Sequence, residues 1–242
     1  MFLKQIDLDS DNFPTTEFYP FTLDSFLDFS PIVLDTPVTY FIGENGTGKS
    51  TLLEALAWRC GIHIWRDDDT KRVDDNPYEK KLYEYVRTEW YNGWVAGAYF
   101  SSDLFTDFNR NLELWAIDDP RMLDYYGGKS LISQSHGQSQ MSYFKSRYQR
   151  KGLYLLDEPE TALSPKSQIE FLELLMNATQ DGNAQFIIVT HSPIILAYPG
   201  AAIHSFDHAP IRRLSYKETD YYTIYKDFMN NPESYIKYCS GG

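Results

Sequence analysis

The run Phe41-Ile-Gly-Glu-Asn-Gly-Thr-Gly-Lys-Ser-Thr51 carries the densest chemical signal in the chain. Gly43, Gly48, Lys49 and Ser50 hold the fixed positions of the pattern G-x-x-x-x-G-K-[ST], with Glu44, Asn45, Gly46 and Thr47 between them and Thr51 behind. Glycines at 43, 46 and 48 let the backbone turn tightly and aim successive N–H groups at phosphate oxygens. Lys49 offers a point charge to β- and γ-phosphates, and the Ser50 hydroxyl is suited to ligate Mg²⁺. Further on, Asp157 and Glu158 close the apolar run Gly152-Leu-Tyr-Leu-Leu156. Carboxylates at the end of such a strand need a partner such as a metal. Asp157 is placed to hold Mg²⁺ directly or through water, and Glu158, on the other side of an extended chain, could polarise a water that attacks the γ-phosphate. His191 ends the next apolar run, Gln185 to Thr190, within reach of the same phosphate. A histidine alone is more often structural.

These residues need strands and helices to hold them. Val38–Ile42 is expected as a buried strand, and Lys49 to Trp58 as a helix whose N-terminus favours an anion. Leu52, Leu53, Leu56 and Ala57 have the spacing to pack that helix on a sheet. Residues 1–37, broken by Pro14, Pro20, Pro31 and Pro37, suit short edge strands, and one of Phe18, Tyr19, Phe21 and Phe29 could stack on a base. Arg66 to Pro77 is a highly charged, exposed loop by composition. Leu82–Trp90 fits helix or strand equally. Asp118-Asp-Pro120 signals a helix start before Arg121–Tyr126, and Gly127-Gly128 breaks the chain. A polar stretch from Ser130 to Ser139 leads into an expected helix from Gln140 to Tyr148. Ser164 and Pro165 make a good helix start, with Ile169, Leu172, Leu175 and Met176 as its apolar face. Residues 203–217 suit terminal strands, and Asp220 to Tyr238 a Tyr-rich helix or helix pair covering the edge. Alternating apolar strands and amphipathic helices predict an α/β fold with a mostly parallel, doubly covered sheet.

With the loop, the carboxylates and the histidine in this order, the sequence resembles the nucleotide-binding domain of ABC-type ATPases. Gly43–Ser50 matches Walker A, and Leu153–Glu158 matches Walker B with its catalytic glutamate. Ser135-His-Gly-Gln-Ser139 resembles the signature motif Ser-Gly-Gly-Gln, Thr161-Ala-Leu-Ser164 the D-loop, and His191 the switch histidine. The wider runs around residues 155–165 and 190–199 further resemble small stand-alone bacterial ATPases of the ABC/Rad50-like superfamily. The resemblance implies a P-loop NTPase fold with an N-terminal antiparallel β edge and an inserted, mainly helical subdomain. It gives a single domain over 1–242, with core at 1–60 and 150–242 and the insertion, carrying the signature, at about 61–149. It also implies ATP and Mg²⁺ as ligands, Glu158, His191 and Lys49 as catalytic groups, and a head-to-tail homodimer. In that dimer Ser135, Gly137 and Gln138 of one copy cover the γ-phosphate held by the other. Three departures stand out. His136 replaces a signature glycine, Ser164 stands where many D-loops carry Asp, and the Gln-loop has only a weak counterpart in Ala98–Asp103, with Asp103 as the metal or water contact.

Bulk properties exclude several other classes. The chain has 242 residues and a formal net charge of -12, which repels nucleic acid over long range and makes it an unlikely primary ligand. The placing of Cys60 and Cys239 does not suit a metal site, and two isolated cysteines make no disulfide framework, so they read as ordinary thiols of a reducing compartment. The N-terminus lacks a signal-peptide pattern and no apolar run is long enough to span a bilayer, so a cytoplasmic location is expected. The leading function is an ATP-hydrolysing switch for a separately encoded partner. Two alternatives are a regulatory ATP-binding module that controls a toxin or nuclease, and the ATPase subunit of a transporter. A DNA-repair role like that of the structural-maintenance ATPases is disfavoured by the acidity and by the lack of a coiled-coil arm.

Overall fold

A computed structural model of the chain describes residues 1–65, 76–126 and 128–239. The charged stretch 66–75 and Gly127, expected as loop and chain break, lie outside the described residues. In chain order the elements are β1 (Leu3–Leu8), α1 (Asp24–Leu27), β2 (Ile32–Val33), β3 (Val38–Ile42), α2 (Lys49–Arg59), β4 (Val86–Trp90) and β5 (Gly97–Ser101). Then come α3 (Ser102–Asp118), α4 (His136–Arg147), β6 (Gly152–Asp157), α5 (Pro165–Gln180), β7 (Ala184–Val189), β8 (Ala202–Ser205), β9 (Arg212–Leu214), α6 (Asp220–Asn230) and α7 (Pro232–Cys239).

Alternation along the apolar strands sets the architecture. In β3, β6 and β7, the side chains Phe41, Leu153, Leu155, Ile187 and Val189 enter one core with α2. Tyr40, Ile42, Tyr154, Leu156, Phe186 and Ile188 enter a second core with α3, α4 and α5. Successive strand residues face opposite sides, so a sheet covered on both faces must be apolar at nearly every position. The six-stranded sheet runs β5-β6-β7-β3-β8-β9, parallel except for β9, which pairs antiparallel with β8. A three-stranded antiparallel sheet, β2-β1-β4, lies beyond α2. Fully buried Gln185 of β7 ties the two sheets together: its side-chain oxygen accepts from the Phe2 and Leu3 amides at 2.8 Å, and its amide nitrogen donates to the Leu3 carbonyl at 2.8 Å.

Several expectations shift. Leu82–Trp90 divides into a 3₁₀ turn, Leu82–Tyr85, and the strand β4. Both β4 and β5 fall within the range assigned to a helical insertion, yet each joins a sheet, and the long helices of that range run from Ser102 to Arg147. The segment after Asp118 is a 3₁₀ helix, Pro120–Tyr126. Helix α4 starts at His136 rather than Gln140, because Ser135 and Gln138 form a reciprocal capping box. On α5 the buried face is Phe171, Leu175 and Thr179, while Ile169 and Met176 are exposed. Phe171 packs on Phe144 of α4 with ring centroids 4.8 Å apart, and this large contact sets the helix phase over the neighbouring stripe of smaller gains. The C-terminal helices form as a pair, but α6 buries none of its residues completely and so does not cap the edge with an apolar face. It is held instead by its first turn, capped by fully buried Thr219.

Strand register determines where the functional residues emerge. Ser101 of β5, Asp157 of β6, Val189 of β7 and Phe41 of β3 lie in one row across the sheet. The segments that follow them, 102–103, 158–160, 190–191 and 42–48, therefore all leave at the same carboxyl edge, where open parallel sheets gather ligands.

Candidate nucleotide site

The loop from Gly43 to Gly48 connects β3 to α2, as its glycines require. Gly48 adopts φ +97°, and a Cβ there would come within 2.7 Å of both Leu23 Cδ1 and Phe26 Cζ. Only glycine satisfies the turn and the contact together. Lys49 is buried, and its Nζ donates to the carbonyls of Gly43 and Glu44, each at 2.6 Å. Burial pulls its pKa below the ordinary lysine value, against the opposing influence of Asp207, Glu158 and Asp157. Thr47 ties the loop internally by donating to the Glu44 carbonyl at 2.9 Å. Glu44, Asn45, Gly46 and Ser50 are exposed.

At the adjacent edge, Ser50 Oγ donates to Asp157 Oδ1 at 2.8 Å. Burial pushes the Asp157 carboxyl up to about 7, helped by the negative charges of Glu158, Asp103 and Glu54 and opposed by the Ser50 hydrogen bond. A half-buried carboxylate next to other carboxylates favours a bound cation. The donors fit Mg²⁺, a hard ion that takes one or two protein oxygens and fills its octahedron with phosphate and water. Among the described residues no cluster of three or more His, Cys, Asp or Glu side chains forms an all-protein metal cage.

Stability should follow the protonation of this carboxyl. Below its folded pKa Asp157 holds a proton that the unfolded chain has already lost, so its contribution to stability falls as pH rises from about 4 to about 7. Asp157→Asn is expected to stabilise the nucleotide-free protein by on the order of 2 kcal/mol near pH 8 and by about half that near pH 5. Thermal melts of both proteins at the two pH values measure it. Equal shifts at both would mean that Asp157 is not strained by its charge.

Glu158 departs from the extended geometry expected of it. It sits in the left-handed region at φ +47°, just past the end of β6. Its backbone is held on both sides: the amide donates to Val189 O at 3.0 Å, and the carbonyl accepts from Ser102 Oγ at 2.6 Å and Thr161 Oγ1 at 3.1 Å. A non-glycine residue there costs about 1–3 kcal/mol and persists only where surroundings enforce it. The turn brings Glu158 Oε1 to 3.4 Å from His191 Nε2, with both side chains part-exposed. His191 is fixed through its backbone amide, which donates to Glu160 Oε1 at 2.6 Å.

Gly43, Lys49, Ser50, Asp157, Glu158 and His191 thus converge. Ser135, Gly137 and Gln138 do not join them: among the described residues no hydrogen bond links this segment to the phosphate loop. Ser135 and Gln138 are exposed at the start of α4, and a Cβ on Gly137 would lie 2.6 Å from the Ala162 carbonyl. The signature-like and D-loop-like segments pack on each other, and here glycine is required by close backbone approach. His136 projects from the surface, its ring edge-on to Phe105 at 6.1 Å. Asp103 lies exposed in the first turn of α3, near enough for its charge to act on Asp157.

Three side chains at this edge escaped sequence reasoning. Asp207 Oδ1 accepts from the Glu44 amide at 2.7 Å and bolsters the loop from behind. Glu160 holds His191, and Tyr221 bonds to both Gly43 and His191. The Pro-Glu-Thr run after Glu158 was visible, but Asp207 and Tyr221 carry no motif and reach the site only through the fold. Of the aromatic candidates for a base, Phe21 is fully buried against Phe13 and Tyr85. Phe18 and Tyr19 remain exposed, and the Tyr19 hydroxyl contacts Thr51 Oγ1. Cys60 is a buried thiol pushed by burial to about 12, hence unreactive.

A glycine-rich loop feeding a helix, a strand-end Asp bonded to the loop serine, and a Glu–His pair at the same sheet edge define a P-loop NTPase site. Residues 135–197, which include Ser135, Asp157, Glu158 and His191, match the family model described as "AAA domain, putative AbiEii toxin, Type IV TA system". The chain is 26% identical over 178 residues to the thiamine import ATP-binding protein ThiQ of Ruegeria sp. (strain TM1040), covering 63% of this chain and 69% of that one. It is 27% identical over 164 residues to ThiQ of Haemophilus influenzae, covering 63% and 74%. Among solved structures it is similar to CbiO1 of Clostridium perfringens, with a TM-score of 0.49, 20% identity, and coverage of 84% of this chain and 88% of that one. Over 63% of its length the chain is thus similar to ATP-binding proteins of import systems, and its own residues form the site of a P-loop NTPase.

Proposed function

We propose that the protein is a Mg·ATP-hydrolysing switch whose two sites form only when two copies assemble head to tail. The observation that carries this reading is the separation, within one chain, of a complete Walker edge from an exposed, pre-shaped Ser135–Gln138 segment. Gly43 to Thr51 bind the triphosphate, with Lys49 exchanging its carbonyl partners for β- and γ-phosphate oxygens. Ser50 and Asp157 would hold Mg²⁺, which when bound would neutralise phosphate charge, and Asp103 would add its negative charge beside them. Phe18 or Tyr19 stacks on adenine. Glu158 orients the attacking water and takes its proton, while His191 holds the γ-phosphate. Ser135 and the Gly137 amide of the second copy donate to the charge that develops on it. Loss of the γ-phosphate removes those contacts and releases the pair, so the nucleotide acts as a removable clamp. The switch acts on a separately encoded protein, in the cytoplasm. No helix among the described residues is long and apolar enough to cross a membrane. The likeness to import ATP-binding proteins favours a second reading, an ATPase subunit seated on a membrane partner.

Complementation tests the composite site. Lys49→Ala and Ser135→Arg proteins are each expected to hydrolyse ATP at least about 100-fold more slowly than the wild type. An equimolar mixture regains activity, because a mixed pair has one site built from an intact loop and an intact signature. Random pairing gives half mixed dimers with one good site of two, so recovery of about a quarter of the wild-type rate is expected. No recovery, or full activity of Ser135→Arg alone, would sink the head-to-tail model.

A further inference from the structure

The C-terminal helix α6 touches the nucleotide edge through one side chain. The Tyr221 hydroxyl lies 2.7 Å from His191 Nδ1 and 3.1 Å from the Gly43 carbonyl, and the two rings meet edge to face with centroids 5.5 Å apart. Tyr221 packs half-buried against the second core, while α6 has no fully buried residue, and its hydroxyl is the part that reaches the site. The His191 backbone is already fixed by Glu160, which leaves rotation and tautomer of the ring as its remaining freedom. Nε2 faces a carboxylate, Glu158, at 3.4 Å, and in the proposed mechanism it would face a phosphate. Both partners only accept, so Nε2 must carry hydrogen to bond either. In the neutral ring Nδ1 is then an acceptor, and the group supplied to it is the Tyr221 hydroxyl.

We propose that Tyr221 is a positioning residue for His191: by donating to Nδ1 it selects the Nε2–H tautomer and turns that hydrogen towards the γ-phosphate. The Gly43 carbonyl is the alternative acceptor of the same hydroxyl and also the resting partner of Lys49. The histidine, the phosphate loop and α6 therefore share one hydrogen-bond network. This inference rests on the reading of His191 as the γ-phosphate contact.

Tyr221→Phe removes the hydroxyl and keeps the ring against His191, so the fold should persist, as a thermal melt will check. The expected result is a fall in kcat of about tenfold with KM for ATP held within about twofold. A Tyr221→Phe/His191→Ala double variant should be no slower than His191→Ala alone. Long-range ¹H–¹⁵N spectra of the full chain labelled with ¹⁵N-histidine give a readout independent of turnover. His191 signals, identified by their loss in His191→Ala, should show Nε2–H in the wild type and a displaced Nδ1 resonance in Tyr221→Phe. If His191→Ala is impaired while Tyr221→Phe has wild-type kcat and an unmoved Nδ1 signal, the proposal falls and the histidine reading stands. If His191→Ala turns over normally, the histidine reading falls and the proposal with it. Multiplicative losses in the double variant, or an Nδ1–H ring in the wild type, would also overturn it.

Discussion

Glu158→Gln is expected to lower steady-state phosphate release by about two to three orders of magnitude while ATP still binds. The substitution keeps the size and shape of the side chain and removes its ability to accept a proton. The backbone contacts that enforce the left-handed turn at φ +47° come from Val189, Ser102 and Thr161, and none depends on the carboxylate. The turn therefore survives, and with it the position of Asp157 one residue earlier. A site that binds but does not hydrolyse cannot release the clamp. Static light scattering with saturating Mg·ATP should show a dimer that persists for the duration of the measurement, where the wild type shows it only transiently. A Glu158→Gln protein that stays monomeric under those conditions rules out the simple clamp, and one that releases phosphate normally removes Glu158 as the base.

Lys49→Ala is expected to weaken ATP binding by about 10²–10⁴-fold, the loss of two charge-assisted hydrogen bonds at roughly 1.5–3 kcal/mol each. Nζ already donates to the Gly43 and Glu44 carbonyls, so the loop is shaped around the ammonium before any nucleotide arrives. Removing it leaves the Glu44 carbonyl with its Thr47 donor and the Gly43 carbonyl with the Tyr221 hydroxyl 3.1 Å away as an alternative donor. Burial already works against the ammonium's charge, which offsets part of what the missing contacts cost in stability. The fold should persist with affinity gone. Titration of a fluorescent ATP analogue reads the affinity directly, and a Kd within about threefold of the wild type would show that Lys49 is not the phosphate contact.

The two experiments separate the halves of the proposal. Lys49 reports on whether the triphosphate sits on the loop, Glu158 on whether its hydrolysis opens a pair. The mixed-dimer test then asks who supplies the signature. The chain's likeness to import ATP-binding proteins bears on the partner and not on these three measurements.

Much of the site was legible because its chemistry is local. Gly43 to Thr51 are consecutive, and a phosphate loop needs only a tight turn, a lysine and a hydroxyl at fixed offsets, so spacing alone suffices. Asp157 was legible because a carboxylate that closes a run of five buried residues must find a cation or a hydrogen-bond donor. The strands β3, β6 and β7 fell where unbroken apolar runs put them, since a parallel sheet covered on both faces demands such runs. The α4 start at His136 was also written locally, in the S-x-x-Q capping pattern at Ser135 and Gln138 that the expected start at Gln140 passed over.

Other features depended on contacts between segments far apart in the chain. The phase of α5 was misjudged because Phe171 meets Phe144 on another helix, and periodicity within α5 could not weigh that contact. Glu158 was expected to extend the strand, but three groups around it bend it into the left-handed region. Asp207 and Tyr221 reach the loop from 163 and 178 residues away, so no local pattern could mark them. The groups suited to phosphate chemistry are contiguous or strand-terminal, so local sequence marks them. How they are held, and which neighbours tune them, depends on packing between distant segments. The row that aligns Phe41, Asp157 and Val189 is a property of strand pairing, and pairing partners are chosen by the whole sheet.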